Sequence, residues 1–292
     1  MRRTRNAGIA LSIVAAMTLA ACSAGEPGGT DETPAGTAEE TDAGTSGAGG
    51  EGITVGIKFD QPGLGLQEGS EYTGFDVDVA RYVADKLGYS EDQIEFVESV
   101  SSQRETLLEN GSVDMIFATY SITDARKERV AFAGPYFVAG QDLLVTSDNS
   151  DITGPDTLDG KVLCSVEGST SAERIRDDYS QGVELYPAQT YSECVELLSA
   201  GTIDAVTTDD VILAGYASQP AYGGQFKVVG NPFSEENYGV GLPKDNDVCE
   251  DVNAAITEMI DDGTWEELIA KNVGESFTPN ADLNPPTPAP CA

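Results

Sequence analysis

The stretch Leu107-Leu108-Glu109-Asn110-Gly111-Ser112-Val113-Asp114 returns later in the chain as Leu197-Leu198-Ser199-Ala200-Gly201-Thr202-Ile203-Asp204. Each copy reads as the end of a helix, a glycine cap, and an aspartate that opens an apolar strand. Five residues beyond each aspartate stands a polar residue, Thr119 in the first copy and Asp209 in the second. Ligands of open α/β sheets bind outside the carboxyl ends of the strands. Two such units facing each other would therefore set Thr119 and Asp209 on opposite walls of one cleft.

Reading outward, strand and helix patterns alternate. Strands are expected at Ile53–Phe59, Val113–Ala118 and Leu143–Thr146, with a helix at Phe75–Gly88 whose Val79, Tyr82, Val83 and Leu87 share a face. A second series places strands at Val162–Val166, Val183–Tyr186 and Ala205–Thr207, with helices at Ser171–Tyr179, Tyr191–Ala200 and Val211–Ala217. Strands at Phe226–Val229 and Tyr238–Leu242 and helices at Val248–Asp262 and Trp265–Lys271 complete the pattern. Such alternation predicts α/β units with mainly parallel sheets.

The chain has 292 residues, enough for one large or two modest cores. Its net charge of −34 argues against nucleic acid or an anionic membrane surface as a partner and favours a soluble, self-repelling monomer. It contains no histidine, which removes imidazole catalysis and the commonest metal ligand. Arg2, Arg3 and Arg5 precede an apolar run from Ala7 to Leu19, too short to span a bilayer. Residues 1–21 are read as a lipoprotein signal peptide, because Leu19-Ala20-Ala21-Cys22 resembles a lipobox in which Cys22 takes the lipid. Residues 22–52 then form the lipidated Cys and a disordered tether, since Ser23 to Gly52 lacks Ile, Leu, Val and aromatic residues. The Pro-rich tail, 278–292, is expected to run irregularly over the surface.

Gly74-Phe75-Asp76-Val77-Asp78-Val79 resembles the signature of polar amino-acid-binding proteins of ABC importers, the family 3 solute-binding proteins. Ser121-Ile122-Thr123-Asp124-Ala125-Arg126 with Phe132 and Pro135-Tyr136, then Gly168-Ser169-Thr170, and Gly201-Thr202-Ile203-Asp204 with Asp209, match further motifs in the family's order. Gly56-Ile57-Lys58-Phe59-Asp60-Gln61-Pro62-Gly63 and Gln103-Arg104-Glu105 resemble its glutamate/aspartate-binding branch, notably actinobacterial lipoproteins. The resemblance implies a type II periplasmic-binding-protein-like α/β fold, two α/β lobes joined by two crossovers. Lobe 1 would be 53–144 plus 238–277 and lobe 2 would be 147–234, with crossovers at or just before Ser147–Asp151 and Ser234–Tyr238. It also implies a lipid-anchored extracytoplasmic receptor that delivers ligand to an ABC permease with its ATPase, touching the membrane only through the anchor.

The ligand chemistry is consistent with that resemblance. A free amino acid presents a carboxylate and an ammonium, so its site needs a cationic fork and an acid. Arg126 can grip the α-carboxylate bidentately, with Thr119 and Ser121 adding donors. Gly168, Ser169 and Thr170 open a helix whose N–H groups can contribute, and Asp209 can accept from the ammonium. Lys58 and Arg104 are the candidates for an acidic ligand side chain, glutamate or aspartate. Phe59, Tyr72 and Tyr120 are candidates for an aromatic wall but fit core packing better.

Export places Cys164, Cys194, Cys249 and Cys291 in an oxidising compartment, where two disulfides are expected. Three connectivities are possible, and pairing within neighbouring elements favours Cys164–Cys194 and Cys249–Cys291. No C-x-x-C spacing occurs, so no metal is expected, and no cofactor either. The competing readings are a ligand-sensing receptor of the same fold and a dehydratase-like enzyme, for which Asp60, Glu167 and Asp209 would be the acid/base candidates.

Overall fold

A computed structural model describes residues 52–179 and 182–291. The signal segment 1–21, Cys22 and the tether as far as residue 51 lie outside the described residues. In chain order the first series is β1 (Ile53–Ile57), β2 (Asp60–Gln61), β3 (Gly65–Glu68), β4 (Glu71–Thr73), α1 (Phe75–Lys86), β5 (Ile94–Glu98), α2 (Arg104–Glu109), β6 (Met115–Phe117), α3 (Asp124–Lys127) and β7 (Ala131–Ala139). The second series is β8 (Gln141–Thr146), β9 (Val162–Val166), α4 (Thr170–Arg174), β10 (Glu184–Ala188), α5 (Tyr191–Ser199), β11 (Ala205–Asp209), α6 (Asp210–Ala217) and β12 (Phe226–Val228). β13 (Glu236–Leu242), α7 (Cys249–Asp261) and α8 (Thr264–Asn272) follow.

The strands form two five-stranded sheets, ordered β5-β1-β6-β13-β7 and β10-β9-β11-β8-β12, and a small β2-β3-β4 sheet. In each large sheet four strands share one direction and one, β13 or β8, runs antiparallel to both its neighbours, so the sheets are mixed rather than purely parallel. The antiparallel partner beside the parallel trio is in both cases the strand that has just crossed over, β13 in the first sheet and β8 in the second. Residues 141–144 therefore belong to the second sheet, not to the first unit as expected. The break falls at Gly140, because Leu143, Leu144 and Val145 are fully buried against β11 and β12. The return crossing passes beside it, with Gln141 N–H donating to Ser234 Oγ at 3.0 Å.

The repeated motif folds the same way twice. Gly111 and Gly201 adopt φ of 71° and 69°, the left-handed turn that favours glycine. Ser112 N–H donates to the Leu107 carbonyl and Thr202 N–H to the Leu197 carbonyl, both at 2.9 Å. Asp114 brackets Thr54, and Asp204 brackets Val162, each accepting the N–H and donating to the C=O at 2.8 Å. The aspartates thus register β6 on β1 and β11 on β9.

α1 buries Phe75, Val79 and Val83 on its sheet, and Phe75 meets Tyr136, Phe137 and Trp265 in an aromatic cluster. The expected 171–179 helix is instead α4 followed by a π-helical turn over Ile175–Tyr179. Cys164–Cys194 ties β9 to α5, and Cys249–Cys291 ties α7 to the tail, the pairing favoured for neighbouring elements. Closing loops of 30 and 42 residues, each contributes about 3–4 kcal/mol by chain entropy. The tail does more than wander: Asn284 pairs with both the N–H and the C=O of Val138, and Ala289 N–H donates to Gly134. It covers the edge strand β7 where a free ladder would otherwise face solvent.

Candidate functional site

The strand ends at which the two copies of the motif point border one narrow cavity between the sheets. Thr119 follows β6 at φ 45°, a conformation that a β-branched residue avoids. Its N–H donates to Asp76 Oδ2 at 2.8 Å, and Tyr136 O–H holds the other carboxylate oxygen at 2.9 Å. The Asp76 carboxyl, pushed up to about 6 by burial, is thus the post on which the strained turn is fixed. Thr119 Oγ1 contacts the Gln61 side-chain oxygen at 3.2 Å, and Gln61 Nε2 has no partner among the described residues.

Arg126 lies on α3, whose N-cap Thr123 accepts its N–H at 3.2 Å. Its guanidinium donates to the Ser121 carbonyl at 2.7 Å and, across the cavity, to the Gly168 carbonyl at 3.1 Å. Arg104 opens α2 and donates to the carbonyl of Ala118 at 3.1 Å. Both arginines are buried. Burial, and after it the Arg126 charge, lowers the Arg104 guanidinium to about 10.

On the facing wall Asp209 ends β11. Its Oδ2 accepts from Tyr238 O–H at 2.6 Å, while Oδ1 is buried with no partner among the described residues. Desolvation, then the Glu236 carboxylate, holds its carboxyl well above the usual range, against the Tyr238 hydrogen bond. Glu236 itself is paired with Arg174 and accepts from Ser234 Oγ at 2.9 Å. A buried carboxyl with one unpartnered oxygen favours a cationic hydrogen-bond donor, whose charge would offset the burial and the Glu236 charge that raise it.

Of the nine expected ligand residues, Arg104, Thr119, Ser121, Arg126, Ser169, Thr170 and Asp209 border the cavity. Lys58 and Gly168 do not. Lys58 is buried one shell back, its Nζ donating to Ser101 Oγ at 2.8 Å, and Ser101 is the group at the wall. Burial, then Arg104, brings the Lys58 ammonium down to about 7. Gly168 presents its carbonyl to Arg126, and Ser169 N–H is taken by the Val166 carbonyl at 3.1 Å. The Ser169 N–H is therefore not a free helix donor, and α4 starts one residue later, at Thr170. Gly168 is needed for closeness: at φ 76° a Cβ there would lie 2.7 Å from Ser102 of the opposite wall.

Ser101, Ser171, Tyr191, Thr208 and Ile212 also line the cavity and were missed. Ser101, three residues before Arg104, and Thr208, the neighbour of Asp209, could have been found from that adjacency; Tyr191 gives no sequence signal. Phe59 and Tyr72 pack against each other with tilted rings, centroids 5.3 Å apart, and neither lines the cavity; Tyr120 is fully buried. Asp60 accepts from the N–H groups of Tyr191 and Ser192 at the start of α5, at 2.9 and 3.2 Å. Glu167 is exposed and accepts from Gln189 Nε2 at 3.0 Å. Among the acid/base candidates Asp209 alone borders the cavity. Among the described residues no helix is long and apolar enough to cross a membrane.

The sequence profile of the bacterial extracellular solute-binding proteins, family 3, matches residues 53–275. The glutamate-binding protein GluB of Corynebacterium glutamicum is 49% identical over 235 residues, covering 76% of this chain and 79% of the relative. The ABC transporter glutamine-binding protein GlnH of Bacillus subtilis is 33% identical over 268 residues, covering 91% and 95%. An ancestral arginine-binding protein bound to glutamine superposes with a TM-score of 0.70 at 32% identity, covering 76% of this chain and 97% of that one. Profile, relatives and fold agree along the same span, and the chain belongs to the bacterial extracellular solute-binding proteins, family 3.

Proposed function

We propose that the protein is the extracytoplasmic substrate-binding component of an amino-acid ABC importer and that its ligand is an acidic amino acid, glutamate before aspartate. The observation that carries this reading is the distribution of charge around the cavity. Arg104 and Arg126 border one wall with Lys58 behind Ser101, and Asp209 offers an unpartnered oxygen on the other. Arg126, with Thr119, Ser121, Ser169 and Thr170, takes the α-carboxylate; Asp209 takes the ammonium; Arg104 and Lys58, through Ser101, answer the distal carboxylate. That relatives are named for glutamate at 49% identity and glutamine at 33% supports the same ligand class. The two sheets then act as lobes, 53–140 plus 236–277 and 141–234, that close on the ligand for a permease to recognise.

Asp209 has a binding role here rather than an acid/base one, which favours a receptor over an enzyme. Cys22 is the lipid attachment point, residues 23–52 are the leash, and the body works as a monomer at the outer face of the cell membrane. Calorimetry on ligand-stripped protein with glutamate, aspartate, glutamine, asparagine and histidine tests the reading. Glutamate should bind most tightly; a preference for glutamine or histidine would overturn the acidic assignment. Cys22→Ala should release the protein into the medium, and continued membrane retention would remove the anchor.

A further inference from the structure

Tyr120 does not border the cavity, yet both arginines that do border it rest on its ring. The guanidinium carbon of Arg104 lies 4.2 Å from the ring centroid and that of Arg126 lies 5.0 Å from it. The ring is fully buried, edge-on to Phe132 at 4.8 Å. It is accommodated by Gly241 of β13, where a Cβ would come within 2.7 Å of the ring. Its O–H donates to Glu105 Oε1 at 2.7 Å, and that oxygen lies 3.4 Å from Arg126 Nε. Burial pushes the phenol up, so it stays an O–H donor.

Two guanidinium groups at one buried ring repel each other, and each loses hydration. An aromatic face attracts both, and a hydroxyl that donates to a carboxylate enriches that face further. Resting on the acidic-ligand reading above, we propose that Tyr120 is a positioning residue of the site: its ring, fixed at the hydroxyl by Glu105, seats Arg104 and Arg126 together as one double receptor for the two carboxylates of the ligand. A dicarboxylate uses both arginines, whereas glutamine uses one for its α-carboxylate. The ring therefore contributes to selectivity without touching the ligand.

The test is calorimetry of full-length, ligand-stripped protein with glutamate and with glutamine. Tyr120→Phe keeps the ring and should leave both affinities within about threefold of wild type, the worth of one hydroxyl contact. Tyr120→Leu removes the ring and should weaken glutamate about 30-fold but glutamine only about fivefold, the worth of two desolvated cation–π contacts against one. Equal losses for both ligands, or a Phe variant as impaired as the Leu variant, would overturn the proposal. Should the Leu variant not fold, mono-, di- and trifluorinated phenylalanine at position 120 keep the shape while draining the ring face. Glutamate affinity should then fall stepwise at constant melting temperature, and a flat series overturns the proposal. Wild-type protein that binds glutamine but not glutamate removes the acidic-ligand reading and the proposal with it; wild-type glutamate binding with a flat series removes the proposal alone.

Discussion

The wall built on the first sheet brings Arg104 and Arg126 to the cavity with Lys58 behind them, whereas the wall built on the second brings Asp209 among the hydroxyls of Ser169, Thr170 and Thr208. Each wall is poorly off alone. Burial, and after it the charge of a neighbouring arginine, lowers Lys58 and Arg104, while burial and the Glu236 charge raise Asp209. Like charges gathered in a low dielectric cost stability unless an opposite charge arrives. The contrast teaches that the cavity is polarised, cationic on one wall and acidic on the other; under the function proposed above, the carboxylates would go to the arginines and the ammonium to Asp209, so charge sets ligand orientation before shape does.

Breaking the contrast outright should have the largest effect. Arg126→Ala and Asp209→Ala each strand one ligand charge in a closed cavity, a loss of about 2–5 kcal/mol in affinity for every amino acid alike. Asp209→Asn should also raise the melting temperature of the empty protein, because it removes a buried carboxylate with an orphan oxygen. Near-wild-type affinity in either alanine variant by calorimetry would mean that the polarity of the walls was misread.

Next in size are the residues expected to answer the distal carboxylate. Lys58→Met and Arg104→Met should weaken glutamate by about 1.5–3 kcal/mol, the range of a hydrogen bond to a charged group, and leave glutamine nearly unchanged. Parallel losses for the two ligands would leave a general polar amino-acid site. Because Lys58 acts through Ser101, Ser101→Ala combined with Lys58→Met should cost less than the sum of the two single changes.

Much of this was legible in the sequence for a definite reason. The repeated helix–glycine–aspartate junction announces where two parallel strands end, and strand ends in α/β sheets are where ligands go. Thr119 and Asp209 were placed on facing walls by that argument alone, and they do border one cavity. Lys58 stands behind Ser101 rather than at the wall; strand alternation gives a side chain's direction but not what stands in front of it. The shift of the crossover to Gly140 was hidden for a related reason. β7 and β8 are buried without a break from residue 131 to 145, and the Gly140-Gln141-Asp142 interruption does not by itself say at which residue a strand passes from one sheet to the other. Tyr191 reaches the cavity only through tertiary packing, which no local pattern encodes.

Titration should sharpen the contrast by a smaller amount. Asp60, Asp76, Glu98, Arg104 and Arg126 are the charged groups acting on or answering to Lys58, and burial with Arg104 leaves its ammonium at about 7. A ligand carboxylate favours the protonated form, so the Lys58 pKa must rise on binding glutamate. Glutamate affinity is then full below about pH 7 and declines above it, by at most about tenfold per pH unit. Glutamine draws nothing from that charge, and the groups both ligands share, Asp209 among them, cancel in the ratio of affinities. The glutamate-to-glutamine ratio should therefore drop between about pH 6 and pH 8 in the wild type and stay flat in Lys58→Met. A flat wild-type ratio would detach Lys58 from the ligand.

The smallest effect concerns what brings the walls together rather than what charges them. Asp60, on β2, reaches over to the second unit and accepts from the Tyr191 and Ser192 N–H groups at the start of α5 and from Tyr216 O–H at 3.0 Å. A carboxylate there serves as a cap borrowed from the opposite lobe, and beside it the Pro62 carbonyl lies so close to Gly215 that a Cβ would sit 2.3 Å from it. Under the closure proposed above the contact would form only when the walls meet, so its free energy would belong to closure and not to any ligand group. Asp60→Ala should therefore weaken glutamate, aspartate and glutamine by one common factor, about 1 kcal/mol as for loss of a helix cap, mainly through faster release. Small-angle scattering should show the ligand-free variant more open than the ligand-free wild type, with the saturated forms alike. A loss confined to the dicarboxylates would instead place Asp60 among the selectivity residues, and an unchanged release rate would show that the ligand alone holds the two walls together.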